Sequence, residues 1–414
     1  MSGDSKADKQ NAELEKVIRH QQAGQLPEAE RACRRILRER PSHPKANLFL
    51  GLILNEQGKL AEAEAAFRRV VAVAPDLVDG HTWLGTALYN QDKLQDAEAA
   101  FRRALTLEPN MTDALAGLGG VLFDQGRFAD SVPYFRRGVA VTYDRPNNGP
   151  ASGPAAPHKV QHDREQHEYL NGVSARMAAA PARFNLEEGA RVAGRAVNPD
   201  SSGGEFAKQW QNSSPQLVVI DNLLTEEAMD MLRQFCWRST IWHRVFGNGY
   251  LGAMPEDGFA CPLLVQIADE LRSTYSAIVG DNQLTRCWAF KYDSRLKGIN
   301  IHADFAAVNV NFWITPDEAN LDAESGGLVV WDKPAPLDWS FDEYNNDGIM
   351  IRQFLEQSGA KSVTVPHRAN RAVIFDSDLF HETDRIKFKE GYLNRRINIT
   401  MLYGHRDAAA KHDS

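Results

Sequence analysis

A chain of 414 residues, 43% hydrophobic and 25% charged, has room for two or three domains and an ordinary globular composition. Its formal net charge of −8 and pI near 5.9 argue against nucleic acid as the main partner. Cys33, Cys236, Cys261 and Cys287 form no C-x-x-C pair, Met1 to Gln10 has no signal-peptide core, and no run approaches the roughly 20 apolar residues of a membrane span, so a soluble, cytoplasmic protein is expected.

From residue 11 to 143 the chain repeats itself every 34 residues. Pro41, Pro75 and Pro109 fall one period apart, as do Ala29, Ala63 and Ala97; Gly51, Gly85 and Gly119; and Phe67, Phe101 and Phe135. The pair Arg34-Arg35 recurs at residues 68, 102 and 136 and is expected on a solvated helix face. Small residues let two helices approach closely, and each proline stops the second helix of a unit. This pattern resembles the tetratricopeptide repeat. It implies three full repeats and a weaker fourth, in which Pro133 interrupts the second helix. The resemblance also implies a concave face for an extended peptide or a partner's helix; stabilisation or assembly of the rest of the chain is the other use open to it.

Asp144 to Pro157 is rich in Pro, Gly, Asn and Ala and is expected to be a linker, the first part of a span with helices over 144–212. Lys159–Asn171 and Asn185–Val197 are predicted helices, and Ser202–Ser214 a polar connector. His158 and His162, beside Asp163, have the spacing of two ligands on one helical face; without an evident third ligand, a solvated helix is expected. A third region, 213–406, opens with a buried strand, Leu217–Ile220. Thr225 caps a helix through Cys236. Trp237–Phe259 is expected as loop, and Pro262–Tyr275 as a helix with i, i+3, i+4 apolar spacing.

Arg286–Tyr292 is a predicted strand. Ile299–Trp331 then reads as two strands with His302-Ala-Asp304 at the mouth of the first, where an extended backbone aims both side chains at one face. A second His-x-Asp, at His405, follows the last apolar strand and is taken as a chance copy. On the strand after the first triplet, Asn309, Asn311 and Trp313 share one face. Lys333–Ala360 interrupts the strands as a lid, a substrate wall or a plain surface excursion. Arg371–His381 is a strand and turn ending in a second imidazole. In Asn394–Tyr403 the residues Arg396, Asn398 and Thr400 face one way and Ile397, Ile399 and Met401 the other, which favours Arg396 over Arg395 as the inward cation. Two histidines and a carboxylate on one side of a metal are the facial triad of non-heme Fe(II) oxygenases.

The ordered set His302-x-Asp304, His381, Arg396-x-Asn398 resembles the Fe(II)/2-oxoglutarate dioxygenase superfamily. For the whole chain this implies a multidomain protein, an all-α tetratricopeptide array followed by an α+β double-stranded β-helix (jelly-roll) oxygenase domain. The resemblance implies that His302, Asp304 and His381 bind iron and that Arg396 pairs with 2-oxoglutarate. Asn398, Tyr292, Asn309 and Asn311 are expected around that co-substrate, and Trp313 and Trp331 near the substrate. The implied cofactors are Fe(II), 2-oxoglutarate and O2, with ascorbate as reductant. Asp304 stands where halogenating relatives carry a small residue, so hydroxylation is expected. The implied substrate is a protein or peptide recruited by the repeats; a small-molecule oxygenase and an inactive interaction scaffold are the alternatives.

Overall fold

The structure, a computed structural model, describes residues 2–143, 156–176, 184–199, 203–293 and 298–406. The linker expected at Asp144–Pro157 lies outside these up to residue 155, as does the Asp407 of the second His-x-Asp. The chain divides into two compact units, Met1–Val141 and Thr142–Ser414.

The first unit is a succession of helix pairs: α1 (Ser2–Gln22) with α2 (Leu26–Glu39), α3 (Pro44–Glu56) with α4 (Leu60–Val73), α5 (Val78–Tyr89) with α6 (Leu94–Leu107), and α7 (Thr112–Asp124) with α8 (Phe128–Tyr143). Inside each pair the turn needs a left-handed residue. Gly24, Gly58 and Gly126 supply it at φ near +70°, and Asp92 does so at φ 58° in the third pair. The last three pairs also pack a phenylalanine against a glycine of the preceding helix. A Cβ at Gly51, Gly85 or Gly119 would lie 2.4, 2.8 or 2.7 Å from the rings of Phe67, Phe101 and Phe135. Gly85→Val is therefore expected to overpack the array by about 1–3 kcal/mol, read as a lower urea midpoint of the full chain. Pro133 does not interrupt α8, which runs through it; the proline sits near the helix start, where one lost ladder bond is offset by packing of Val132 and Phe135.

The recurrent arginines also have a structural role. Glu30 accepts from Arg34 (2.7 Å) and from Lys59 of the next pair (3.0 Å). Glu64 does the same with Arg68 (2.8 Å) and Lys93 (2.6 Å), and Glu98 with Arg102 (2.7 Å) and Arg127 (3.1 Å). Each carboxylate thus ties its own helix to the following pair.

The second unit begins with α9 (Pro157–Arg176), α10 (Gly203–Asn212), β1 (Leu217–Ile220), α11 (Glu226–Arg238), β2 (Arg244–Phe246), β3 (Tyr250–Ala253), α12 (Pro262–Thr274) and α13 (Ser276–Val279). It continues with β4 (Leu284–Tyr292), β5 (Val308–Trp313), β6 (Leu328–Pro334), α14 (Gly348–Gln357), β7 (Ser362–Val365), β8 (Ala372–Asp376), β9 (Leu379–Thr383) and β10 (Ile397–Tyr403). Seven strands form one antiparallel sheet in the order β1-β8-β5-β10-β4-β3-β2, and three form a second, β7-β6-β9.

Four local expectations fail here for physical reasons. Asn185–Val197 is not helical: Gly189 sits at φ +60° against Cys261, and α12 side chains satisfy the backbone, Gln266 binding Val192 N and Glu270 binding the N–H groups of Ala196 and Val197. The polar connector contains α10. The supposed loop after Trp237 holds the β2–β3 hairpin, whose tip carries an Asn248-Gly249 turn signal and whose aromatics Phe246 and Tyr250 stack at 4.5 Å. Finally, α9 is no solvated helix. His162 is fully buried, with one ring nitrogen on Asp163 (3.0 Å) and the other 3.3 Å from Lys291 Nζ. Lys291, itself buried on β4, lies 4.3 and 4.2 Å from the rings of Trp242 and Tyr392, and burial pushes its amine well below its ordinary pKa.

Candidate metal centre

His381 lies in the middle of β9. His302, expected on a strand, stands instead on an isolated bridge to His381: His302 N donates to His381 O (3.0 Å) and His381 N to His302 O (2.8 Å). That pairing brings the two rings to 4.3 Å between centroids. Asp304 follows on the loop into β5, its backbone N–H held by Ser377 O (3.1 Å). One ligand atom from each of His302, Asp304 and His381 lies within 4.8 Å of the others, a set found once among the described residues. Asp304 Oδ2 is 3.5 Å from His381 Nε2, and Oδ1 is 3.8 Å from His302 Nε2.

The donor set suits a divalent metal. His302 Nδ1 meets the carbonyl of Asn300 (2.8 Å) and His381 Nδ1 that of Leu379 (3.0 Å). Because a carbonyl only accepts, each Nδ1 carries the proton and each Nε2 offers its lone pair to the centre. Burial, with His381 beside it, pushes the His302 imidazole down to about 4, so the ring stands neutral. Burial works to raise the Asp304 carboxyl, but the two imidazoles and the Asn309 amide that face it outweigh burial and hold the group below its ordinary value. A neutral His302 imidazole and an ionised Asp304 are the forms in which these groups bind metal.

Asp304 is braced by an amide chain. Asn309 Nδ2 donates to its Oδ2 (2.6 Å), Asn311 donates to Asn309, and both Asn398 Nδ2 and Thr400 Oγ1 donate to Asn311 Oδ1 (2.8 Å each). Asn309, expected at the co-substrate, is fully buried against the carboxylate instead, because it begins the strand next to the Asp304 loop. Asn309→Ala is expected to weaken metal binding by about 10–100-fold, as loss of an outer partner does, in a calorimetric titration with Mn(II).

The pocket beside the three ligands is lined by Asn311, Asn398 and Thr400 on one wall, Trp288, Phe290 and Tyr292 on another, with Ile299, Leu328, Thr383 and Arg396 completing it. Arg396 is buried: its Nε and Nη2 donate to the carbonyls of Gly326 (2.5 Å) and Gly327 (3.0 Å), and its Nη1 finds no partner among the described residues. Its guanidinium lies 4.6 Å from the Tyr292 ring. Arg395 turns to the opposite face of the strand, onto Glu165 (2.9 Å).

Two expected substrate residues lie elsewhere. Trp313, at the far end of β5, packs into the core with Leu217, Val330 and Val365. Strand alternation turns Trp331 away from the pocket, toward a cluster with Ile301, Tyr344 and Phe380. Trp288 and Phe290 take the wall position; their i, i+2, i+4 spacing with Tyr292 is the signal that would have found them.

A sequence profile described as the tetratricopeptide repeat matches residues 14–77 and 84–148. Among solved structures, MamA from Desulfovibrio magneticus RS-1 is 21% identical over 32% of this chain and 74% of its own, at TM-score 0.30. PilF of Pseudomonas aeruginosa is 20% identical over 34% of this chain and 65% of its own, at TM-score 0.32. The first tetratricopeptide domain of Spaghetti (RPAP3), bound to the HSP90 peptide SRMEEVD, is 24% identical over 27% of this chain and 87% of its own, at TM-score 0.26. No curated protein matches the chain. The N-terminal unit is a tetratricopeptide-repeat array, followed by a β-rich unit of antiparallel sheets. Among the described residues no helix is long and apolar enough to cross a membrane.

Proposed function

We propose that the second unit is an Fe(II)- and 2-oxoglutarate-dependent oxygenase, and that it hydroxylates a protein or peptide recruited by the repeats. The observation that carries this reading is the meeting, in one buried pocket, of the His302, Asp304 and His381 ligand atoms with a guanidinium that has an unused N–H. Two antiparallel sheets with this pocket between their strands support the double-stranded β-helix reading of the fold. The tetratricopeptide array supports a protein or peptide partner, because stacked helix pairs offer an extended surface for such ligands.

His302 and His381 would hold the metal through Nε2 and Asp304 through its carboxylate. Bound Fe(II) with 2-oxoglutarate and O2 supplies an oxidant that turns C–H into C–OH while the co-substrate becomes succinate and CO2. Arg396 orients a carboxylate through charge-assisted hydrogen bonds, its fork being fixed by the two glycine carbonyls. Trp288, Phe290 and Ile299 exclude water from the same space. The pocket is narrow, about 30 Å³, and a five-carbon diacid enters it as lining side chains turn outward. Trp288 and Ile299, both partly exposed, are the ones with room to do so.

The test needs no knowledge of the substrate. With Fe(II), ascorbate and O2, the wild-type chain is expected to form succinate from 2-oxoglutarate slowly, and Asp304→Ala to form less than about 1% of that, a loss of more than 2.7 kcal/mol in transition-state stabilisation. A wild-type chain that neither forms succinate nor binds 2-oxoglutarate would replace this reading by that of an interaction scaffold.

A further inference from the structure

The excursion between β6 and β7 belongs to neither sheet, yet it is pinned to the metal loop. Ala303, the residue between two ligands, donates its N–H to Tyr344 O (2.9 Å) and accepts at its carbonyl from Asn345 Nδ2 (2.8 Å). Behind that clasp Tyr344, Ile351 and Leu355 pack with Ile301, Ala303 and Phe380. The inner side of the excursion is therefore rigidly seated. Its outer side is different: Ile349 is 75% exposed and Phe341 48% exposed, large apolar side chains left in water.

Along this side runs an open groove of about 820 Å³, walled by Asn300 and Ile301 on one bank and by Asp342, Asp347, Ile349 and Glu356 on the other, with Arg352 also in its lining, so that three acids there face one cation. Arg352 is the single cation of 335–360, against Asp338, Asp342, Glu343, Asp347 and Glu356. It is already committed to Glu382 (2.5 Å). The groove thus combines exposed apolar surface with uncompensated negative charge. Ile299 and His302 line the metal pocket while Asn300 and Ile301 line the groove, so a single strand of backbone separates the two.

We propose that this groove docks an extended basic segment of a partner polypeptide, with an apolar side chain on Ile349 and a lysine or arginine among Asp342, Asp347 and Glu356. A segment lying there passes beside the ligand loop. That it belongs to the oxidised substrate rests on the oxygenase reading above; the docking itself does not.

The experiment is fluorescence anisotropy with the full chain, without iron or 2-oxoglutarate, using two fluorescein-labelled twelve-residue peptides. One alternates Leu, Lys and Gly; the other carries Glu in place of every Lys. The basic peptide is expected to bind at least tenfold more tightly than the acidic one. Its affinity is expected to drop at least tenfold in Asp342→Asn/Glu356→Gln and in Ile349→Ser, each checked for an unchanged circular dichroism spectrum. These side chains are exposed and outside the ligand set, so the variants keep both units intact. Equal binding of both peptides, no binding of either, or full binding by both variants overturns the proposal. Docking that is lost in the variants, found in a chain that neither forms succinate nor binds 2-oxoglutarate, keeps the groove and removes the oxygenase reading.

Discussion

Arg396→Ala is expected to weaken 2-oxoglutarate binding by about 100- to 4,000-fold while leaving metal affinity within about threefold of wild type. The guanidinium is buried, and its Nη1 has no partner among the described residues. Breaking a buried, hydrogen-bonded charge pair by removing one partner costs about 3–5 kcal/mol, and each 1.4 kcal/mol is tenfold. Arg396→Lys keeps the charge but loses the planar fork held by Gly326 and Gly327, so an intermediate loss is expected. Calorimetry of 2-oxoglutarate binding in the presence of Mn(II) without O2 separates these outcomes. Unchanged affinity in the alanine variant would sink the anchor assignment.

Asp304→Ala should weaken Mn(II) or Fe(II) binding by about 100- to 1,000-fold. A structural zinc site worth about 10–16 kcal/mol over four ligands sets the scale at some 2.5–4 kcal/mol for each. A structural role predicts something else, and the two are separable. The carboxylate is nearly fully buried, with Asn309 donating to it and His381 Nε2 3.5 Å away. Removing it leaves the buried Asn309 amide without its acceptor, so the metal-free variant is expected to melt modestly below metal-free wild type, and the loss of metal affinity is what separates the two roles. A large drop in the melting temperature without metal, together with retained metal affinity, would show that Asp304 supports the fold and holds no ion.

How far these features could be read in the sequence depends on the range of the interactions behind them. The repeats are legible because each Phe–Gly contact recurs within a period, leaving a regular trace in the chain. His302 and Asp304 announce themselves by spacing, and the strand phase of β10 separates Arg396 from Arg395. The two-way bridge that sets the His302 ring beside that of His381 joins segments 79 residues apart and leaves no local pattern. Lys291 was invisible for a related reason. Alternation around it reads as one buried and one solvated face, whereas α9 covers the second face and supplies His162 and Gln166 to its surroundings. Asn185–Val197 misled because the partners of its backbone, Gln266 and Glu270, lie more than 70 residues on. Trp331 misled by residue type alone, its strand position pointing it into another cluster.

The seating of α9 also bears on how the chain matures as it is made. Each helix pair of the array completes its contacts with a neighbour about one period away, so the array can close while the rest is still being synthesised. The closing partners of α9 come much later: Lys291 is 129 residues beyond His162, and Tyr392 is 226 beyond Gln166. Until Tyr392 has emerged, the Lys291 amine has the Trp242 ring alone as aromatic cover, and His162 lacks the Tyr392 side of its surroundings. The ligand loop and Arg396 become usable in that same late interval. Fragments that start at residue 213 lack the helix altogether, so they expose Lys291 and Arg395 permanently and should be captured by chaperones during synthesis, while fragments that start at 156 should be released folded.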